Sequence, residues 1–362
     1  MKILFVTDLY PIGEEKIAKA LFYFVQEWQK QGHTVEVIRA NFITNTVLRG
    51  RKIIEEKIYT ENGTKIYNLN FHTPFWFDVY KKLPKDFSLK NYDVIISHMP
   101  SGALMANRLL EKEKIKYIYA VHCSDIIVLT DKKYFAFKNA LKKSYLKADK
   151  IAARSPILKE KIEKIIPNNK TFVAFSGIDI IPIEKPLNKE ITITTVASFI
   201  KRKNIDVIIK ALNEMPNLKL NIIGSGKEEK NLKKLTKDNT NINFLGQLER
   251  NKVIEELKKS DIFVLLSDNE TFGLSYLEAM ATGNIVIGKK GDGIDGIIKN
   301  SKNGFLIEPK SEELKKCLEK ILAMDEAELI QIKANCTETI KELTIEKAAK
   351  QYLIQINNND KK

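Results

Sequence analysis

The stretch Ile262-Phe-Val-Leu-Leu-Ser-Asp-Asn-Glu-Thr-Phe-Gly-Leu-Ser-Tyr-Leu-Glu-Ala-Met-Ala-Thr282 decides how the rest of the chain is read. Ile262 to Leu266 are five apolar residues in a row, the pattern of a strand buried on both faces. Ser267, Asp268 and Asn269 break the run with turn and cap chemistry. A helical pattern follows, with Leu274, Leu277 and Ala281 on one face. A helix that starts at the carboxyl end of a buried parallel strand points unsatisfied N–H groups and a partial positive charge into the crevice there. Phe272, Gly273 and Leu274 are the expected donors. Gly273 has no Cβ, so a phosphate could approach the backbone closely. Glu270 and Glu278 flank this helix start, and residues 271–278 span roughly 10 Å. A ligand with a diphosphate on the helix start and hydroxyl groups at both ends would meet a carboxylate at each end. Alone, the pair has a plainer reading: Glu270 favours a helix N-terminus and Glu278 is a solvated helix residue.

The whole chain narrows the choice. Its 362 residues suggest two domains of ordinary size. With 44% hydrophobic and 29% charged residues it has the balance of a soluble globular protein. No apolar run reaches the length of a membrane span. The first strand-like run is cut by Asp8 and Pro11, too early for a signal peptide. Cys123, Cys317 and Cys336 are far apart and form no CxxC, which fits a reducing cytoplasm and gives no zinc site. His33, His72, His98 and His122 are equally scattered, so no metal is expected. The charge is uneven. Residues 1–185 hold 31 Lys+Arg against 20 Asp+Glu, and the rest 29 against 26. A basic first half suggests an anionic partner, or else a compositional bias with solvated lysines.

Taken in order, the chain alternates strand and helix. Strands are expected at Lys2–Thr7, Thr34–Ile38, Asp93–His98, Tyr117–Val121, Lys150–Arg154 and Thr171–Phe175, with helices at Lys16–Gln31 and from Gly102. This is one doubly wound half with a parallel sheet. Residues 180–190 carry two prolines and no clear period, and read as a linker. The pattern restarts with strands at Ile191–Val196, Leu218–Ile223, Ile242–Leu245, Ile262–Leu266, Ile285–Gly288 and 304–307, and helical sequence from Ser311. The expected fold class is therefore α/β, with two Rossmann-like doubly wound domains facing across a cleft. Ligands bind such folds at the carboxyl ends of the strands. His122, Ser198–Asn204, Gly224–Gly226, Gly246–Gln247 and Glu270–Leu274 all fall there.

These residues resemble the retaining glycosyltransferases of family 4, which have the GT-B fold. The resemblance runs over nearly the whole chain and is strongest over 191–310. Its core is the Glu-x7-Glu signature, here Glu270-Thr-Phe-Gly-Leu-Ser-Tyr-Leu-Glu278, with Ala279-Met-Ala-Thr-Gly283 and Asn303-Gly-Phe-Leu-Ile-Glu-Pro309 downstream. Gly32-His33 and His122-x-Ser-Asp125 are similar to family segments in the first half. The resemblance implies an acceptor domain over 1–182, a donor domain over 183–345 and a C-terminal helix over 346–362 packing back toward the N-terminal domain. It implies transfer of a hexose or N-acetylhexosamine from a UDP- or GDP-sugar with retention of configuration. Glu270 would touch the donor sugar, Glu278 the ribose, and the amides of Phe272 to Leu274 the distal phosphate. Lys203 would neutralise the leaving diphosphate, so that no metal ion or other cofactor is needed. Gly246 and Gln247 would lie by the base, and His122 would face the donor sugar or act as a structural histidine. Gly224 and Gly226 complete the donor loops. Two positions depart from the family. Ala197-Ser198 stands where Gly-Arg is frequent, leaving Arg202 or Lys203 to carry the charge. Only Gly13 remains of a glycine pair in the loop after the first strand, beside Glu14 and Glu15.

The acceptor is expected to be a glycan or a polyprenyl-phosphate-linked sugar of the bacterial cell surface, and no nucleic acid is expected. Phe71-His-Thr-Pro-Phe-Trp-Phe-Asp-Val-Tyr-Lys-Lys-Leu-Pro-Lys85 interleaves aromatics and lysines. It reads either as an interfacial segment on an anionic membrane or as a core helix with solvated lysines. The location that follows is cytoplasmic, peripheral on the inner face of the plasma membrane. Two other functions fit the same pattern: a non-hydrolysing nucleotide-sugar epimerase, and a catalytically silent nucleotide-sugar-binding scaffold.

Overall fold

A computed structural model of the chain describes residues 1–11, 19–42, 55–71, 79–168, 170–183, 185–188, 190–236 and 239–358. They form two compact units. The first comprises Met1–Arg154, Leu158–Phe175 and Ile345–Lys362; the second comprises Ser155–Ile157 and Ser176–Thr344. Each is an α/β unit built on a sheet of its own.

In chain order the first part runs β1 (Lys2–Thr7), α1 (Lys19–Lys30), β2 (Thr34–Phe42), β3 (Lys57–Glu61), β4 (Thr64–Phe71), β5 (Val94–His98), α2 (Met99–Leu110), β6 (Lys116–Val121), α3 (Cys123–Thr130), α4 (Phe135–Lys147), β7 (Lys150–Ala153), α5 (Pro156–Ile165) and β8 (Thr171–Val173). The sheet order is β3-β4-β2-β1-β5-β6-β7-β8. Among the described strands only β3 is antiparallel to its neighbour. β1 shows why the strands read as unbroken apolar runs. Ile3 and Phe5 join the core on one face, while Leu4 and Val6 join the core on the other. A sheet covered by helices on both sides leaves no polar face.

Of two features in this unit, one was not expected from the sequence and the other bears on a pair of readings left open there. Residues 57–71 form a β-hairpin, where no strand was assigned. Its turn is Asn62-Gly63, with φ of 49° and 73°. Positive φ at both turn residues suits the right-handed twist of the strands. The aromatic segment 71–85 is the second. Residues 72–78 lie outside the described part, but its ends point inward: Phe71, Val79 and Leu83 are buried in the core. The Tyr80 hydroxyl donates to the Leu109 carbonyl at 3.0 Å.

The second part continues with β9 (Thr192–Val196), α6 (Ile205–Asn213), β10 (Lys219–Ile223), α7 (Glu229–Leu235), β11 (Ile242–Gly246), α8 (Arg250–Lys259), β12 (Ile262–Leu265), α9 (Leu274–Ala281), β13 (Ile285–Lys289), β14 (Phe305–Ile307), α10 (Ser311–Leu322) and α11 (Glu326–Glu342). Its sheet is wholly parallel, in the order β11-β10-β9-β12-β13-β14. The chain moves outward from β9 to β11, then returns to lay β12 on the other side of β9. The loops after β9 and β12 therefore part in opposite directions and leave a crevice between them. In the first unit the reversal lies between β1 and β5.

The stretch read as a linker is lashed to the second unit. The Lys185 ammonium donates to the Leu257, Lys258 and Ser260 carbonyls. These carbonyls lie at the C-terminal end of α8, where a helix leaves acceptors short of partners. Burial lowers the Lys185 pKa to about 8. Asn188 holds Asp261 through backbone and side-chain bonds of 2.8 and 3.1 Å.

The last helix, α12 (Ile345–Asn357), belongs to the first unit. It packs on α1. Tyr352 meets Trp28 edge-on at 5.3 Å and Phe24 at 5.5 Å. The Trp28 indole N–H donates to the Ala349 carbonyl at 3.0 Å. Trp28 is fully buried, so Trp28→Ala leaves a large cavity and an unsatisfied carbonyl. The substitution should destabilise the first unit by about 3–5 kcal/mol. Urea unfolding followed by circular dichroism reads it as a lowered midpoint for that unit; an unchanged midpoint would show that α12 is not held through Trp28.

Candidate functional site

The crevice of the second unit collects most of the residues singled out in the sequence. The loop after β9 turns through Lys201–Lys203 and ends at Asn204, which adopts φ 51° and starts α6. The loop after β12 carries Ser267 to Gly273. The two meet through charge. The Lys203 ammonium lies 2.5 Å from Glu270 Oε2, and the Arg202 guanidinium lies 4.0 Å from the same oxygen. Ser267 Oγ donates to Glu270 Oε2 at 3.1 Å. Backbone bonds close the seam: the Asp268 N–H donates to the Arg202 carbonyl at 2.7 Å, and the Asn204 amide donates to the Leu266 carbonyl at 2.8 Å. The Lys203 and Glu270 side chains are 12% and 19% exposed. At that burial the attraction is stronger than for a surface pair, and both groups are costly to leave uncompensated.

This loop is held in place by residues with only a faint signature in the sequence. The buried Asp292 carboxylate accepts from the backbone N–H groups of Asn269 at 2.6 Å, Glu270 at 2.9 Å and Gly293 at 2.9 Å. Lys289 lies 2.6 Å from Asp268 and 3.6 Å from Asp292, so it balances both anions. Gly293 must be glycine: a Cβ there would stand 2.4 Å from the Glu270 carbonyl oxygen and 2.8 Å from the Phe272 nitrogen. The Gly-rich run Lys290–Gly296 thus braces the strand-to-helix loop. The available signal was an aspartate between two glycines, which is weak by itself.

α9 begins as expected. Gly273 is its N-cap with φ 89°, and a Cβ there would press on the Tyr276 ring at 2.6 Å. Tyr276 is fully buried between β12 and α9 and donates its hydroxyl to the Leu265 carbonyl. The first-turn amides of a helix have no acceptor within it. Here they include those of Gly273 and Leu274. Phe272 is buried beneath them. Two turns along, Glu278 Oε1 accepts from Arg250 Nε at 2.8 Å, and Arg250 Nη2 donates to Asp179 Oδ1 at 2.8 Å. Arg250 was not picked out in the sequence. It stands at the first position of α8, where nothing but the fold brings it to Glu278.

The remaining loops form a second rim. Gly224 and Gly226 have φ of 140° and 154°, and Cβ atoms there would strike the Ala197 and Phe199 carbonyls at 1.9 and 2.6 Å. Their bareness serves the packing of one loop on the other. Phe199 N–H donates to the Ser225 carbonyl at 2.8 Å, and Gly224 N–H to the Gly246 carbonyl at 2.8 Å. Gln247 accepts from Ser225 Oγ at 3.1 Å. Ser198 is exposed on the same rim.

His122 and Gly13 belong to the first unit. Gly13 lies outside the described residues. His122 follows β6 as the N-cap of α3, His98 ends β5, and the two rings share a hydrogen bond of 3.0 Å between His98 Nδ1 and His122 Nε2. Both are buried. Burial, then the Arg154 charge, lowers the His122 pKa to about 3. Burial, His122 and Arg154 hold His98 well below the usual range. Asp125 accepts from the His122 backbone N–H at 2.8 Å and from the Tyr119 hydroxyl. Burial raises its pKa to about 7. Among the described residues no group of three or more His, Cys, Asp or Glu could hold a metal ion.

With the geometry in view, likeness to known proteins can be stated. The model described as "Glycosyltransferase Family 4" matches residues 17–181, and that described as "Glycosyl transferases group 1" matches 178–338. N-acetyl-alpha-D-glucosaminyl L-malate synthase of Bacillus anthracis is 26% identical over 302 residues, 77% of each chain. Alpha-monoglucosyldiacylglycerol synthase of Acholeplasma laidlawii is 33% identical over 186 residues, 48% of this chain and 46% of that protein. Among solved structures, Anabaena Alr3699/HepE in complex with UDP superposes with a TM-score of 0.75 at 16% identity, over 98% of this chain and 99% of that one.

Two tests follow from the geometry. Asp292→Ala strips three backbone donors of their acceptor, so the amides of Asn269 and Glu270 should lose hydrogen-exchange protection, and the unit should lose about 1–3 kcal/mol. Unchanged exchange at both amides would assign the loop's order elsewhere. The second test is pH. His98 and His122 bind protons less readily folded than unfolded, so they make stability rise with pH toward their ordinary value of 6.5. Asp125 does the reverse: its raised pKa makes stability fall from about 3.8 to about 7. Two opposing one, the first unit should become more stable between pH 4 and 6.5, and Asp125→Asn should steepen that rise. Thermal unfolding across pH reads both slopes; a shallower rise in the variant would contradict the assignment.

Proposed function

The chain belongs to the group 1 glycosyltransferases, and on that footing we propose that it moves a hexose or N-acetylhexosamine from a UDP- or GDP-sugar to a glycan or lipid-linked acceptor, with retention of configuration. The observation that carries this reading is the meeting of Lys203, Arg202 and Glu270 beside the α9 N-terminus. The donor's diphosphate would lie on the amides of Gly273 and Leu274, with Phe272 beneath. Lys203 and Arg202 would face its charge. These cations supply what a bound metal supplies elsewhere, so the proposed reaction needs none. Arg202 also takes over the charge missing at Ser198.

The reaction breaks the bond from the sugar's anomeric carbon to the distal phosphate oxygen and forms one to the acceptor oxygen, whose hydroxyl proton passes to the departing diphosphate. The departing nucleoside diphosphate gains negative charge. Lys203, Arg202 and the helix dipole are preorganised where that charge grows. Before the donor arrives Lys203 is paired with Glu270. The diphosphate then competes for Lys203, leaving Glu270 free to accept from sugar hydroxyls. Glu278, aimed by Arg250, would accept from the ribose. Gly246 and Gln247 would border the base, and His122, uncharged, would be a neutral hydrogen-bonding partner for the sugar. Likeness to proteins titled as a glucosaminyl malate synthase and a monoglucosyldiacylglycerol synthase supports small or lipid acceptors. The basic first unit supports work at an anionic membrane surface on the inner face of the plasma membrane.

Glu270→Ala tests the reading with two readouts of opposite sign. Sugar transfer should fall about a hundredfold or more. Free UDP or GDP should bind as well as before or more tightly, because Lys203 loses its competing partner. Nucleotide release from a panel of donors, with calorimetry for the free nucleotide, measures both. Undiminished transfer in the variant would remove Glu270 from the site.

A further inference from the structure

The exposed face of α4 in the first unit is unlike the other helices described here. We propose that α4, with the turn before it, is the surface by which this unit lies on an anionic lipid bilayer. This sharpens the membrane reading given above, and it moves the contact away from the aromatic segment 71–85, whose described ends are buried.

Two large apolar side chains stand out from α4: Phe135 is 77% exposed and Leu146 71% exposed. They are eleven residues apart. At about 100° and 1.5 Å per residue, that puts them on nearly one line, about 16 Å apart along the axis. Four lysines flank the line. Lys138 and Lys142 fall on one side of it, Lys143 and Lys147 on the other. No acidic residue occurs within α4. The carboxylates nearest along the chain are already engaged. Asp131 pairs with Lys133 at 2.9 Å, and Asp149 accepts from the Tyr117 N–H at 2.7 Å.

The opposite face fixes which way the helix is turned. Leu141, Ser144 and Tyr145 are buried. Ser144 Oγ accepts from the Asn107 amide at 2.6 Å. The helix therefore cannot roll to hide Phe135 or Leu146 without breaking a buried hydrogen bond. What remains outside is a ridge of apolar anchors edged by long cationic side chains. Laid on a bilayer, the anchors would enter the acyl boundary while the lysines reach up to the headgroup phosphates. The charge selects an anionic partner. The aliphatic Leu146 at the C-terminal end of the ridge argues for lipid over nucleic acid, since only a flat π-face stacks on bases.

The test uses the full chain and vesicles of phosphatidylcholine with or without phosphatidylglycerol. The wild type should sediment with the anionic vesicles, release as salt rises, and ignore the neutral ones. Changing Lys138, Lys142, Lys143 and Lys147 to Gln should weaken partitioning about fivefold per lysine. Phe135→Ser with Leu146→Ser should weaken it about tenfold while leaving the salt dependence in place. Phe135, Lys143, Leu146 and Lys147 are exposed and Lys138 and Lys142 half-buried, and unchanged thermal unfolding confirms that the variants are folded. Wild-type binding that neither variant reduces would overturn the assignment to α4 and leave the membrane reading standing. Failure of the wild type to bind anionic vesicles would sink both. Light scattering covers the remaining occupant: a wild-type dimer dissolved by the serine variant gives the face to a second copy and overturns the proposal.

Discussion

One buried carboxylate organises the crevice of the second unit. Asp292 draws three backbone N–H groups onto itself, two of them from the loop after β12. That loop has to leave a buried strand, turn sharply and start a helix within eight residues. Its own backbone cannot satisfy those donors while doing so, and in a buried place they cannot be left unmade. A carboxylate accepts several at once. The arrangement needs Gly293 beside it, because any side chain there would collide with the loop. It needs Lys289 to offset the buried charge. With the loop fixed, Glu270 has one position available, and Lys203 reaches it from across the strand-order reversal.

The same topology yields two different electrostatic environments. At the reversal in the second unit the loops are lined by Lys203, Arg202, Glu270, Asp268 and Lys289, paired into a network. At β5 and β6, beside the reversal in the first unit, the strand ends carry His98 and His122, which burial keeps uncharged near neutral pH. A crevice whose cations hold exchangeable carboxylate partners suits a ligand that brings its own anion. An uncharged histidine pair suits hydrogen bonding to neutral hydroxyls. The fold supplies the positions, and the side chains decide the chemistry.

How much of this was legible in the sequence depends on the range of the interaction. Strand runs such as Ile262–Leu266 and Thr192–Val196 declare themselves by local pattern, and so does the N-cap glycine at 273. The hairpin at Asn62-Gly63 was equally local and was still passed over. Lys57-Ile-Tyr-Thr-Glu61 is short, mixes polar and apolar residues without a period, and offers none of the apolar continuity that marked its neighbours. Asp292, Arg250 and His98 were invisible for another reason. Each acts on a residue 22 to 28 positions away, and no spacing rule links an acceptor to a loop that only the sheet order brings near. Lys185 and Asn188, in a stretch with the composition of a linker, are tied to α8 by contacts some seventy residues distant.

The lysines of α4 show the same limit from the other side. Sixty basic residues in one chain invite a reading as solvated background, and by count alone the four on this helix are unremarkable members of it. Their orientation is what changes their meaning. Leu141, Ser144 and Tyr145 are held inward by packing and by Asn107, and that single rotational setting puts Phe135 and Leu146 outward between the cations. An apolar side chain three-quarters in water is costly by the measure of surface transfer, and here two stand on one line, edged by charge of one sign. The first half's excess of positive charge thereby acquires a place on the fold, on a helix whose inner face is held by core packing.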